Sequence, residues 1–264
     1  MDLGLNGRRA AVAASSMGLG YACALELARE GAAVSICSRN ADRIEAAATR
    51  IRHDVPGANI CTSVVDVSSQ ADCERFVADT VETLGGIDIL VTNTGGPVPG
   101  ALDAITLDDI RDGFDSTLMS AVTMMKTAVG YMREAKWGRI INILSMTVKQ
   151  PKTNLLVSNT MRPAVLGFAK SISNELAGAG VTVNNVAPGY TMTERLTELA
   201  EHLSKTQKRT VEDVFDEWKR VIPAKRLGRP EELGAVVAFL ASEQAAYVTG
   251  VTLQVDGGSV QGLF

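Results

Sequence analysis

The chain has 264 residues, 46% of them hydrophobic, enough for a substantial core, and an α/β protein of this length is ordinarily one domain, here 1–264. Its 26 basic and 30 acidic residues leave a net charge of −4 and are mixed along the whole sequence, which excludes a nucleic-acid stripe and leaves small molecules and further copies of the chain as the expected partners. No stretch approaches the ~20 apolar residues of a membrane span, the start "MDLGLNGRRAAVAASS" shows no leader-like segment, and Cys23, Cys37, Cys61 and Cys73 form no CxxC pair, so a soluble, cytoplasmic protein with buried thiols and no metal site is expected.

In chain order, "RRAAVAA", "AAVSICS", "ANICTSVVD", "IDILVTN", "GRIINIL", "VTVNNVA" and "VTLQVDG" read as strands, and the segments between them carry amphipathic helical spacing. The runs are apolar almost throughout, as they must be when helices cover both faces of a parallel sheet. The expected architecture is therefore α/β, a Rossmann-type doubly wound parallel sheet in a three-layer sandwich. Helix starts are signalled by Asn40 before "ADRIEAAATR", by Ser68 before "SQADCERFVADTVETL", and by Thr106 followed three residues later by Asp109. The alternation lapses at about 191–223, where two polar helices form an insertion, either a helical lid over a binding site or a pair that only packs on the body.

The stretch "AVAASSMGLGYACALELAREG" runs from the first strand through Gly18 and Gly20 into an Ala-rich helix. Such a helix N-terminus offers free N–H groups and the positive end of its dipole to a pyrophosphate. The chain here resembles the short-chain dehydrogenase/reductase superfamily, 3-oxoacyl-acyl-carrier-protein reductases among them, whose first turn reads TGxxxGxG. The resemblance implies cofactor contacts from Ala14, Ser15, Ser16, Gly18, Leu19 and Gly20, from Asp66 and Val67, from Asn93 and Gly95 of "NTGG", and from Pro188 and Gly189 of "PGYTMT", with Asp256 to Gly258 as the family's closing DGG. Ala13 and Ala14 stand where the family has Thr and Gly. If position 14 needs a positive φ, alanine strains the turn and weakens cofactor binding; otherwise its methyl only narrows the cleft. After the second strand come Ser38 and Arg39 rather than a carboxylate, and a guanidinium suits the 2′-phosphate of NADP(H).

The family's serine, Ser145 here, is followed thirteen residues later by tyrosine and seventeen later by lysine, positions that hold Ser158 and Arg162 in this chain; the family's asparagine falls on Thr117. A phenol next to an ammonium normally protonates the oxygen that gains charge, whereas a serine hydroxyl is a far weaker acid and a guanidinium relays no proton. An oxyanion-friendly pocket without its proton donor is expected. Pro163 suggests that the helix begins near Asn159 or Thr160, which would make Ser158 a cap and put Arg162 in the first turn, offset by an anion or carboxylate. Lys149, Lys152 and Tyr190 are other conceivable donors, Tyr190 foremost, unless it packs under the lid.

The expected function is that of an NADP(H)-dependent oxidoreductase acting on a carbonyl, enone or acyl thioester by an altered proton-donor mechanism. Two alternatives stand beside it: a cofactor-independent lyase or hydrolase using Ser145, in the manner of the halohydrin dehalogenases that the chain resembles at Ser145 and Arg162, and a non-catalytic dinucleotide-binding protein. His53 and His202 lie far from the motif, so no catalytic triad can be assigned. The apolar segment "STLMSAVTMMKTAVGYM", with the family's habit of pairing its central helices, implies a homotetramer.

Overall fold

Seven parallel strands, β1 (Arg9–Val12), β2 (Ala33–Ser38), β3 (Ile60–Val64), β4 (Ile89–Thr92), β5 (Gly138–Ile143), β6 (Val181–Pro188) and β7 (Thr252–Val255), form one sheet in the order β3-β2-β1-β4-β5-β6-β7 in a computed structural model that describes residues 2–263. The order reverses between β1 and β4. In such a sheet the crevice at the carboxyl ends of the strands on either side of that reversal is where a ligand lies.

Helices α1 (Gly18–Arg29), α2 (Ala41–Asp54) and α9 (Pro230–Ala241) cover one face, and α3 (Gln70–Leu84), α5 (Ser120–Ala135) and α6 (Leu156–Leu176) the other. Side chains that alternate along a strand therefore enter two different cores. Ile89 and Val91 pack with Leu27, Ile44 and Val237, while Leu90 packs with Phe76, Met124 and Val165. This two-sided burial is why the strands show no polar alternation. A third, smaller cluster joins α7 (Glu194–Gln207) to α8 (Val211–Val221) through Ala200, Val214 and Trp218. Across the centre, Thr92 Oγ1 donates to Asn142 Oδ1 at 2.7 Å and Asn142 Nδ2 to Asn185 Oδ1 at 3.0 Å. These buried bonds tie together the carboxyl halves of β4, β5 and β6, the platform beneath the site.

Asn40 caps α2, and Thr106 with Asp109 forms a capping box on α4 (Leu107–Gly113), as their spacing implies. Three expectations need correction. Helix α3 is capped by Ser69, whose Oγ accepts the Asp72 N–H, because Ser68 is held instead by the Asp66 carboxylate. Helix α6 starts at Leu156, not near Asn159, and runs through Pro163, its eighth residue. The segment ahead of the proline is pinned from outside: Leu156 N–H donates to the Gly100 carbonyl, and the Asn159 amide brackets the Lys152 backbone at 2.8 and 3.2 Å. Those contacts offset the roughly 3 kcal/mol that an interior proline costs. Finally, Met124, Met125 and Met132 of α5 are fully buried within the chain, so the apolar surface expected at an interface between copies is largely consumed by the sheet.

Candidate active site

The turn after β1 is shaped by close approach. A Cβ on Gly20 would lie 2.4 Å from the Ala14 carbonyl oxygen and 2.8 Å from Asn93 Nδ2, so only glycine fits. Asn93 Nδ2 donates to that carbonyl at 3.1 Å and thereby joins the "NTGG" segment to the turn. Ala14 has φ +47°, the conformation its glycine counterpart would adopt freely, and an L-residue there costs roughly 1–2 kcal/mol. The strain branch of the expectation is the one realised. Met17, at the N-cap of α1, makes no capping side-chain bond and no acid sits in the first turn, whereas α2, α3 and α4 are all capped by side chains. The first N–H groups of α1 are thus left for an anion.

Ser15 requires a correction as a phosphate contact. Its buried hydroxyl donates to the Val12 carbonyl at 2.7 Å and accepts the Cys37 N–H at 3.0 Å, tying the end of β1 to β2. Ser16 is the hydroxyl at the rim. Ser38 bonds the Asn40 backbone, and Arg39 is exposed with no ion pair among the described residues. One oxygen of the Asp66 carboxylate holds both the N–H and the O–H of Ser68, while the Val67 carbonyl accepts the Cys73 thiol. Gly95 borders open space. Gly189, next to the buried Pro188, is obligatory because a Cβ there would fall 2.7 Å from the Asp256 backbone, which locks "PGYTMT" onto the closing DGG.

At the carboxyl end of β5 the polar side chains form a short chain. Ser145 starts a single 3₁₀ turn (Met146–Val148), its Oγ accepting the Thr147 N–H at 3.2 Å. Thr147 Oγ1 lies 3.5 Å from Ser158 Oγ, and Ser158 Oγ accepts from Arg162 Nε at 3.2 Å. Arg162 Nη1 donates to the carbonyls of Leu144 at 2.5 Å and Ile143 at 3.3 Å. Ser158 is therefore the third residue of α6 and not its cap, and among the described residues no carboxylate offsets Arg162: two carbonyl dipoles do so. Burial pushes the guanidinium down to about 10, still a cation at neutral pH. Guanidinium only donates, so the Ser158 oxygen is the acceptor and its own proton is left to point elsewhere. Ser145 is in the same position, its oxygen spent on a backbone N–H.

Thr117 comes from a π-helical turn (Phe114–Met119) between α4 and α5 that brings it inward. Its buried hydroxyl has no hydrogen-bond partner among the described residues and borders a cavity of about 10 Å³ lined also by Asn93, Ser120 and Arg162, room for about one water. Tyr190 lies apart from this group. Its ring stacks on Trp218 of α8 at 5.2 Å and lines a separate cavity of about 290 Å³ with Arg226, Glu232 and Asp256. Burial, and then Glu217, push its phenol above the usual range, which makes it a poorer acid. His53 and His202 are exposed on α2 and α7, and no metal-binding cluster of His, Cys, Asp or Glu is present among the described residues. Two roles are absent from the sequence reading, Thr147 between Ser145 and Ser158 and the Asn159 amide on the Lys152 backbone. Thr147 had a usable signal, two places after Ser145 in the turn that follows a buried strand; Asn159 had none.

A family model described as Enoyl-(Acyl carrier protein) reductase matches residues 13–260. The NADPH-dependent reductase BacG of Bacillus subtilis is 32% identical over 256 residues, covering 97% of this chain and 99% of that protein. L-sorbose reductase from Gluconobacter frateurii, solved with NADPH and L-sorbose, superposes with a TM-score of 0.95 at 29% identity over the whole of both chains. A variant of actinorhodin polyketide ketoreductase, solved with NADPH, gives 0.92 at 31% identity over 97% of this chain and 98% of that one.

Proposed function

The chain belongs to the short-chain dehydrogenase/reductase superfamily, and from that premise we propose that it is an NADP(H)-dependent reductase of a small carbonyl, enone or acyl-thioester substrate that works without a side-chain proton donor. The cofactor reading is supported by the fit of the turn: uncapped N–H groups at α1, the glycine forced at position 20, and an unpaired Arg39 where a 2′-phosphate would end. The relatives' NADPH dependence points the same way. In this reading the α1 N–H groups and Ser16 hold the phosphates, Asp66 and Val67 border the adenine, and Asn93, Gly95, Pro188 and Gly189 border the nicotinamide. When bound, NADPH supplies the hydride.

The observation that carries the mechanism is the string Ser145–Thr147–Ser158–Arg162. Both serine oxygens accept from donors of the chain itself, which leaves the Ser145 O–H, and the Ser158 O–H when it is not turned to Thr147 Oγ1, for a substrate oxygen that gains negative charge. Hydrogen-bond donors fixed in advance of the reaction are the main electrostatic means of stabilising such an oxyanion. None of these groups is an acid suited to protonating an alkoxide. An enolate is a far weaker base than an alkoxide and can be held by hydrogen bonds until water protonates its carbon, so the donor set favours an enone within the proposed range. Thr117 and the water-sized cavity beside Arg162 offer a place for that water.

The pair α7–α8 is proposed as a lid at 191–223, its own apolar cluster anchored on Tyr190 through Trp218. A homotetramer in the cytoplasm completes the proposal, resting on the family resemblance and on four unpaired cysteines; light scattering tests the assembly. Calorimetric titration with NADPH and NADH, on the wild type and on Arg39→Asp, tests the cofactor. The expected result is tighter NADPH binding that Arg39→Asp abolishes; equal affinities would sink the assignment.

A further inference from the structure

The turn "AASSMGLG" is neutral throughout, so Arg39 is the one cation that the turn and the end of β2 bring to a 2′-phosphate carrying close to two negative charges. A second cation arrives from an unexpected element. Arg50, in the last part of α2, lies over the ring of Tyr21 with its guanidinium carbon 4.4 Å from the centroid, and its Nη2 donates to the Ser16 carbonyl at 3.0 Å. We propose that Arg50 is a second, specificity-determining cation for the cofactor's 2′-phosphate, docked at the rim of the glycine turn by Ser16 and Tyr21. The inference rests on the NADP(H) reading above and adds to it a residue outside every motif of the family pattern.

Three observations carry it. First, Arg50 makes no ion pair among the described residues: Asp54, four residues on and within ordinary reach, is hydrogen-bonded to His53, and Glu45 accepts the hydroxyl of Thr62. Its charge is not spent within α2. Secondly, the docking point adjoins Arg39. The Ser15 N–H donates to the Cys37 carbonyl at 2.9 Å and the Ser15 side-chain Oγ accepts the Cys37 N–H at 3.0 Å, which holds the turn that carries Ser16 against β2 at Cys37, two residues before Arg39. A phosphate reaching Arg39 from the turn passes the edge where Arg50 is docked. Thirdly, one bond to Ser16 uses only part of a guanidinium's five N–H donors, and the tyrosine face holds the rest in place at little entropic cost.

The test is calorimetry of NADPH and NADH with the full chain as wild type, Arg50→Ala and Arg50→Gln, at two salt concentrations, with thermal melts as a check on folding. Arg50→Gln keeps a donor for Ser16 and guards against a turn that merely collapses. Both variants are expected to weaken NADPH by about 5- to 20-fold, a modest charge-assisted contact at an exposed site, to leave NADH within about two-fold, and to flatten the salt dependence of NADPH binding. Unchanged NADPH binding would overturn the inference while leaving the cofactor assignment intact. Equal losses for both nucleotides would also overturn it, making Arg50 a buttress of the turn. A wild type that binds neither nucleotide would remove the NADP(H) reading itself, and this inference with it.

Discussion

Arg162 and Ser158 stand one turn apart on α6, and the guanidinium Nε donates to the serine oxygen at 3.2 Å while Nη1 is closed off by the Leu144 and Ile143 carbonyls. The relation makes the Ser158 oxygen an acceptor toward Arg162 and turns its proton away from the guanidinium. In the proposed mechanism Arg162 is a positioning residue whose charge is held a bond away from the reacting oxygen.

Removing Ser158 should therefore affect chemistry more than binding. For Ser158→Ala, kcat on a reducible substrate is expected to fall by about 10²-fold, the usual scale for losing one oxyanion donor, with NADPH affinity unchanged by calorimetry. Arg162→Lys should retain part of kcat, since an ammonium can still donate to Ser158 but cannot span Ser158 and both carbonyls. Equal activity of wild type and Ser158→Ala would remove Ser158 from the mechanism.

At the glycine turn, two substitutions should move in opposite directions. Ala14→Gly relieves a φ of +47° and is expected to raise stability in urea melts by up to about 1 kcal/mol, with somewhat tighter NADPH binding. Gly20→Ala would put a methyl 2.4 Å from the Ala14 carbonyl oxygen and should cost about 1–3 kcal/mol along with most cofactor affinity. Destabilisation by Ala14→Gly would show that the strain is absent.

A pH effect is expected at the base of the lid. The side chain of Arg226, and then the Arg229 backbone N–H, hold Glu232 down to about 2 from 4.5. The folded value lies below the unfolded one, so this stabilisation is complete above pH 4.5 and is lost as pH falls toward 2. The stability gap between wild type and Glu232→Gln, from urea melts at a series of pH values, should narrow over that window; the pair is exposed, so the gap is small throughout. A gap constant from pH 7 down to pH 2 would contradict the pairing.

All seven strands and the helix pair at 191–223 are legible in the sequence; for the five inner strands the reason is two-sided burial, which writes continuous apolar runs such as "IDILV" and "GRIINIL", whereas the edge strands β3 and β7 are only partly buried. The start of α6 is not legible. Pro163 carries a strong local signal against a helix, and what overrides it is contact with Gly100, far back in the sequence, with Lys152 in the preceding loop and with the end of β5, pairings that no local pattern encodes. The sequence points to an anion or carboxylate beside Arg162, and the carbonyls of Leu144 and Ile143 are not foreseen because backbone acceptors leave no mark in composition. Ser68 and Ser69 are equally good caps on paper, and only the placement of Asp66 separates them. Ser15 looked like a phosphate ligand because its hydroxyl was counted without its neighbours, Val12 and Cys37.

The central claim is that this pocket stabilises an oxyanion yet lacks a side-chain acid, and ketone reduction by NADPH tests it most directly. Turnover of a simple saturated ketone should be compared between the wild type and the triple variant Ser158→Tyr, Arg162→Lys, Thr117→Asn. Because α6 is already helical through residue 158, the new tyrosine has a formed helix to stand on, and Pro163 can stay. Slow ketone turnover is expected in the wild type, with a gain of about 10²- to 10⁴-fold in the variant, the usual worth of general acid catalysis. A wild type that already reduces simple ketones at ordinary enzyme rates, with a bell-shaped pH profile, would contradict it, and so would a variant that binds NADPH normally and gains nothing.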